Sequence, residues 1–288
     1  MPRRSVVIVA FDRLQPLDAV GPHEVFAGAS AVLAAEQRTR PGKDVAGYDI
    51  TIVSKDGRPI TTESGLQIVT TPLPAARTKI DTLLIPGGDG SQVARYDEVL
   101  IRWIRAAAKN SRRVATVCSG AFIGAEAGLL DGRTVTTHWA RAGQLAREYP
   151  QLTVDADPIY VQDGNVWTSA GVTAGIDLAL AMVEADHGTE VAQTVARWMV
   201  MFLHRPGGQT QFAAPVWVPR ATRSVVRSAQ DHIDNHPADD HRLDLLADRA
   251  AMSSRHFSRL FTDQVGETPA RYVERVRVEA ARAELEST

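Results

Sequence analysis

RVATVCSGAFIGAEAG, residues 113–128, is the stretch that decides the fold. Arg113–Cys118 is short, apolar and partly β-branched, which predicts a buried strand. Ser119–Gly128 is built from small residues around Phe122 and Ile123 and reads as a helix that begins where the strand stops. A strand feeding straight into a helix is half of a parallel crossover unit. It puts Cys118 at the carboxyl end of a strand, the edge of an open sheet where ligands bind.

The same alternation extends outward from this stretch. Val6–Phe11, Tyr48–Ser54 and Asp81–Pro86 read as strands. Leu17–Ala35 and Asp97–Lys109 read as helices, the latter with Trp103 and Ile104 turned inward. Downstream, Ile159–Gln162 and Val166–Ser169 flank Asp163-Gly164-Asn165 as a hairpin. Gly171–Ala185 and Thr189–Leu203 then read as two helices. The expected class is α/β, a mostly parallel sheet with helices on both faces. Gly87-Gly88, Cys118 and the start of the Leu17 helix should converge at its carboxyl edge.

Pro206-Gly207-Gly208 and Pro215–Pro219 break the pattern and mark a linker, in which Trp217 and Pro219 read as domain-docking residues. A new helix is expected near Thr222. Residues 243–265, LDLLADRAAMSSRHFSRLFTDQV, then read as helix, tight turn and helix. Phe257, Leu260 and Phe261 recur at the spacing of a buried helical face, and Ser253 is placed to cap the helix start. Arg255, His256, Ser258 and Arg259 fall on the other side, with Ser254 beside them. A slim helix with an Arg, His and Ser front suits a DNA major groove. Arg271, Arg275 and Arg277 on the next helix read as a charged face paired with Glu274 and Glu279. The predicted organisation is a first domain over 1–205, a linker over 206–221 and a small all-α domain over 222–288.

Composition bounds the function. The 288 residues carry 32 Lys and Arg against 34 Asp and Glu, a net charge of −2. After residue 221 there are 10 Arg against 12 Asp and Glu, again −2, so any DNA contact must rest on a local patch. A single cysteine excludes an internal disulfide and fits a reducing compartment. With no signal-peptide core and no long apolar run, the expectation is a cytoplasmic protein without a membrane partner. The scattered histidines show no metal-ligand spacing, and no residue pattern calls for a metal or cofactor.

Cys118 has two readings. It is a small buried residue in a tight turn, or a functional thiol held out at the sheet edge and pushed toward thiolate by the helix start. In the second, amides at Gly87, Gly88 and Ser119 would hold an oxyanion or carboxylate. Thiol catalysis needs a base, and no histidine adjoins Cys118. His138 ends a strand and reads as structural or effector-contacting. His187 and His204 lie at helix ends, where a cation suits the dipole.

Leu17-Asp18, Gly21-Pro22-His23-Glu24-Val25-Phe26, LLIPGG, CSGAFIGAEAGLLDGRTVTTHW and TSAGVTAGIDLAL together resemble the class I glutamine-amidotransferase-like superfamily of PfpI type, across residues 5–203. The closer likeness is to the branch fused to an AraC/XylS-type DNA-binding domain, whose first part residues 222–285 resemble, GETPARYVERVRVEAAR (266–282) included. The resemblance implies a flavodoxin-like sensor domain, a transcriptional regulator of promoter DNA and a homodimer. It implies a small polar, amino-acid-derived effector in a pocket formed by Glu24, Gly87, Gly88, Cys118, Ser119 and His138. Catalytic relatives carry Cys-His-Gly at the elbow. Cys118-Ser119-Gly120 lacks that histidine, which argues against their hydrolytic activities. Isonitrile-hydratase-like enzymes share the same stretches, so a thiol enzyme of hydratase or glyoxalase type using Cys118 remains the alternative. The resemblance also implies a second helix-turn-helix unit beyond the one read here, either outside this chain or absent from the protein.

Overall fold

The computed structural model describes residues 3–39, 46–203, 208–209, 221 and 223–287. The chain divides into two compact units, Met1–Thr210 and Gln211–Thr288.

The first unit is built on a seven-stranded sheet. Its strands are β1 (Arg4–Val9), β2 (Tyr48–Ser54), β5 (Thr71–Pro72), β6 (Ile80–Ile85), β7 (Ser111–Val117), β10 (Tyr160–Asp163) and β11 (Val166–Ser169). The order is β10-β11-β7-β6-β1-β2-β5. Every pairing is parallel except the β10–β11 hairpin. Near-continuous apolar runs such as β6 and the end of β7 are buried on both faces, as a helix-covered parallel sheet requires.

Helices α1 (Pro16–Thr39), α6 (Ala174–His187) and α7 (Thr189–Trp198) pack together, while α3 (Glu98–Ala108) and α4 (Gly120–Glu126) pack on β6 and β7. The short α2 (Ser91–Ala94) and α5 (Trp139–Glu148) complete the unit's helices among the described residues. Asp97 caps α3 by accepting from the Val99 and Leu100 amides, and Ile104 is fully buried. Trp103 packs against the core and donates Nε1–H to the Pro74 carbonyl at 2.7 Å.

Two departures from the sequence reading have local causes. Helix α7 stops at Trp198, short of Leu203. Val200 takes φ 55°, and the Met201 amide reaches back to the Ala196 carbonyl, a left-handed closure that ends the helix. The two-residue strands β3 (Ile60–Thr61), β4 (Gln67–Ile68), β8 (Thr134–Val135) and β9 (Thr153–Val154) are too short to leave a periodic trace.

The second unit holds α8 (Ser224–Asn235), α9 (Leu243–Arg249), α10 (Ser254–Val265) and α11 (Pro269–Ser287). Its core gathers Val226, Ile233, Leu246, Ala247, Phe257, Phe261, Val265, Tyr272 and Val273. Phe261 is the hub, with rings of Phe257 and Tyr272 at 5.7 and 5.4 Å. The Pro206-Gly207 break, His204, Trp217 and Pro219 lie outside the described residues. No described helix is long and apolar enough to cross a membrane.

Candidate functional site

Strand β7 ends at Val117 and α4 begins at Gly120, so Cys118 and Ser119 form the whole turn. A change of direction that tight forces Cys118 into the left-handed region, φ 56°, uncommon for a residue with a Cβ. Thr137 holds the turn by donating to the Cys118 carbonyl at 2.7 Å. Gly171 closes over it from the end of β11. A Cβ there would sit 2.2 Å from the Cys118 Cβ and 2.7 Å from its sulfur.

The polar groups around the thiol are committed to one another. Asp18, in the first turn of α1, is fully buried. Its carboxylate accepts from the Gly87 amide at 2.9 Å and the Val172 amide at 2.7 Å. The neighbouring Cys118 thiol also favours the carboxylate's ionised form slightly. Burial pushes its pKa up to about 7 against the pull of those two amides. The Ser119 hydroxyl donates to the Gly88 carbonyl and accepts from the Gly88 amide and from Ser91.

These bonds correct two sequence expectations. The Gly87 and Gly88 amides do not wait for an oxyanion, because Asp18 and Ser119 already hold them. Nor does the turn favour a thiolate at Cys118. Burial, and then the charge of Asp18, push its pKa well above the ordinary thiol value, outweighing the hydrogen bonds from Ser119 and the start of the seven-residue α4. Cys118 keeps only 9% of its surface exposed.

Glu24 stands on another face of α1. It lies six residues beyond Asp18, about 120° around the helix. Its side chain is 61% exposed and meets His23 Nδ1 at 3.0 Å. The carboxylates that act on Cys118 are Asp18 and Glu63, the latter held by Gln15 Nε2 and the Asp89 amide. His138 is half-buried and caps α5, its Nδ1 accepting from the Ala140 amide at 3.3 Å. Burial and Arg141 lower its pKa, in keeping with the neutral ring an acceptor needs. His187 ends α6 as expected, but burial disfavours its charge. Among the described residues no group of three or more His, Cys, Asp or Glu could hold a metal ion.

In the second unit, Ser253 caps α10 by accepting from the His256 amide. The turn before it runs through Ala251 at φ 50°. Arg255, His256 and Arg259 are exposed, Ser254 and Ser258 half-buried, and Phe257 and Phe261 fully buried on the opposite face. On α11, Arg275 pairs with Glu267 at 2.8 Å and Arg277 donates to the Pro237 and Asp239 carbonyls. Those partners make this arginine face a brace for the unit.

Fold and site define a class: a flavodoxin-like α/β domain with a cysteine elbow, followed by a helix-turn-helix unit. The chain belongs to the DJ-1/PfpI family, which its residues 4–185 match. Residues 246–288 match a helix-turn-helix domain. Over 225 residues the chain is 37% identical to the HTH-type transcriptional regulator Rv1931c of Mycobacterium tuberculosis, covering 73% of this chain and 81% of that one. It is 34% identical over 194 residues to an isonitrile hydratase of Pseudomonas putida, covering 66% of this chain and 75% of the enzyme. A crystal structure of a THiJ/PfpI family protein from Pseudomonas syringae superposes with a TM-score of 0.59 at 26% identity, over 82% of this chain and 88% of that one.

Asp18, Glu63, Gly171 and Val172 are the site residues that sequence reasoning missed. Asp18 and Gly171 lie inside family-like stretches, where an acid opening a helix and a glycine closing a strand were the available signals. Glu63 sits between two-residue strands and left none.

Proposed function

We propose that the chain is a sequence-specific DNA-binding transcriptional regulator whose α/β unit senses a small polar metabolite. The observation that carries the reading is α10, a capped helix with a phenylalanine rear face and Arg255, His256 and Arg259 exposed in front. Arginine on such a helix reads guanine bidentately, and Ser254 and Ser258 reach phosphate or base edges. A homodimer would set two such helices on successive major grooves.

The Cys118 region supplies the sensing half. Asp18 and Glu63 both bring negative charge to it, and the nearby amides are occupied. That balance favours an effector with a cationic or donor group, such as an amino-acid-derived amine, over a carboxylate.

The test is fluorescence anisotropy on the gene's upstream DNA at fixed salt. Arg255→Ala with Arg259→Ala should weaken specific binding by roughly 30-fold or more, with the thermal midpoint unmoved. A double variant that binds its site as tightly as the parent chain would sink the recognition-helix assignment.

The placement of the Cys118 thiol beside the buried Asp18 carboxyl favours a second reading, a thiol enzyme of hydratase or glyoxalase type. Such a carboxyl can take the thiol proton and return it. The similarity to an isonitrile hydratase points the same way. This reading requires turnover of an isonitrile to its N-substituted formamide, or of a 2-oxoaldehyde, that Cys118→Ala abolishes. Turnover that survives the substitution, or none at all, removes it.

A further inference from the structure

The Cys118 site occupies the carboxyl edge of the sheet. A different feature runs along α3, from its first turn to the opposite edge, where β1, β6, β7 and β11 begin. Three shallow grooves meet there through shared side chains. Arg105 lines the first and second, and Lys109 the second and third. The third, of about 810 Å³, continues past Lys79.

The cations of this surface fall into two kinds. Arg4, Arg112 and Arg113 are spent on Asp81 and Asp186 at the strand starts. Lys79 and Lys109 are exposed and pair with no carboxylate among the described residues. Arg105 is exposed and donates to the Ala127 and Glu126 carbonyls, in a groove it shares with Glu98 and Glu126. Arg102 meets Glu98 only at 3.8 Å, with both side chains at least three-quarters exposed, a pair of little strength.

Arg102, Arg105 and Lys109 recur at i, i+3 and i+7 on α3, opposite its buried Leu100, Ile101, Ile104 and Ala107. They therefore form one stripe about 10 Å long. A helix C-terminus favours a cation and accounts for Lys109 by itself, but not for Arg102 or Lys79. The molecule as a whole is slightly acidic, and the residues after 221 carry a charge of −2. The helix-turn-helix unit thus lacks the positive excess that normally supplies much of the affinity for DNA.

We propose that the Arg102–Arg105–Lys109 stripe, with Lys79, is a surface for the phosphate backbone of duplex DNA, so that the α/β unit supplies the electrostatic attraction that the helix-turn-helix unit lacks. The proposal rests on the DNA-binding reading above. A linear row of separate charges in open grooves suits a repeating phosphate chain better than one compact anion, which calls for converging donors.

The full chain carrying Lys79→Gln, Arg102→Gln and Lys109→Gln tests it, because none of these side chains braces the fold. Binding is measured between 50 and 200 mM salt on the upstream DNA and on a random duplex. The triple variant should weaken both equally and lower the slope of log K against log salt by about 1 for each phosphate no longer neutralised, up to 3. Arg255→Ala with Arg259→Ala should instead lose the preference for the upstream DNA. An unchanged slope in a triple variant that still binds specifically overturns this proposal and leaves the regulator reading standing. Loss of inorganic pyrophosphate binding with an unchanged duplex slope makes the grooves a small-anion site and overturns it too. If the parent chain binds neither duplex, both readings fall together.

Discussion

The Cys118 elbow and the α10 face handle their polar groups in opposite ways. At the elbow they turn inward: Asp18 takes two amides, and Ser119 saturates its hydroxyl on Gly88 and Ser91. On α10 the arginines and His256 stand in solvent while the apolar residues hold the helix in place. Both stretches carry residue types associated with function. One has already used their bonding capacity to fix a strained turn, and the other leaves it open to solvent. A ligand at the elbow has to work through charge and shape around a nearly closed thiol, whereas a ligand of α10 meets free donors.

The largest expected effect tests how far the elbow is over-determined. Gly171→Ala puts a Cβ into the Cys118 side chain at a residue with φ 94°. Overpacking and a forced left-handed backbone should together cost about 3 kcal/mol. Chemical denaturation followed by tryptophan fluorescence reads this directly, since all five tryptophans precede residue 222 and one of them, Trp167, is in β11. A loss under about 1 kcal/mol would mean that the elbow yields easily. The contrast with α10 would then be one of exposure alone.

The second effect is a pH dependence that only the inward-turned site should show. Asp18 titrates at about 7 in the fold, against an ordinary value of 3.8. Folding therefore favours its protonated form. Its contribution is complete below about pH 4 and is lost as pH rises through 7. Carboxylates held low, such as Asp81 and Asp97, act in the opposite sense and are lost as pH falls. The informative quantity is therefore the difference between the parent chain and Asp18→Asn. The variant should be less stable at pH 5, because its amide cannot accept from both backbone groups, and the gap should narrow toward pH 8. Parallel stability curves over that range would show that Asp18 is ionised throughout.

What could be read ahead of the structure follows from the reach of the interactions. The α10 face was legible because its evidence is local, with Phe257 and Phe261 one turn apart and Ser253 at the helix start. The position of Cys118 was legible for the same reason, since a strand running into a helix is a feature of neighbouring residues. Asp18 was not, because its partners Gly87 and Val172 lie 69 and 154 residues away. Glu24 drew attention through resemblance alone, and only the helical phase shows it facing solvent beside His23. The thiol's protonation state depends on burial, which no spacing rule supplies.

The smallest effect asks whether the openness of α10 extends to its first turn. The Ser253 hydroxyl accepts from the His256 amide at 3.4 Å, a long bond at an exposed cap. Ser253→Ala should cost about 1 kcal/mol of stability in the helical unit. The consequence for DNA binding should be larger than that figure suggests, because Ser254, Arg255 and His256 all lie in the turn that the cap orders. Affinity for the upstream DNA should fall while affinity for a random duplex holds. A matched fall on both would mean that the first turn supplies charge alone, and base recognition would then rest on Arg259, one turn further along the helix.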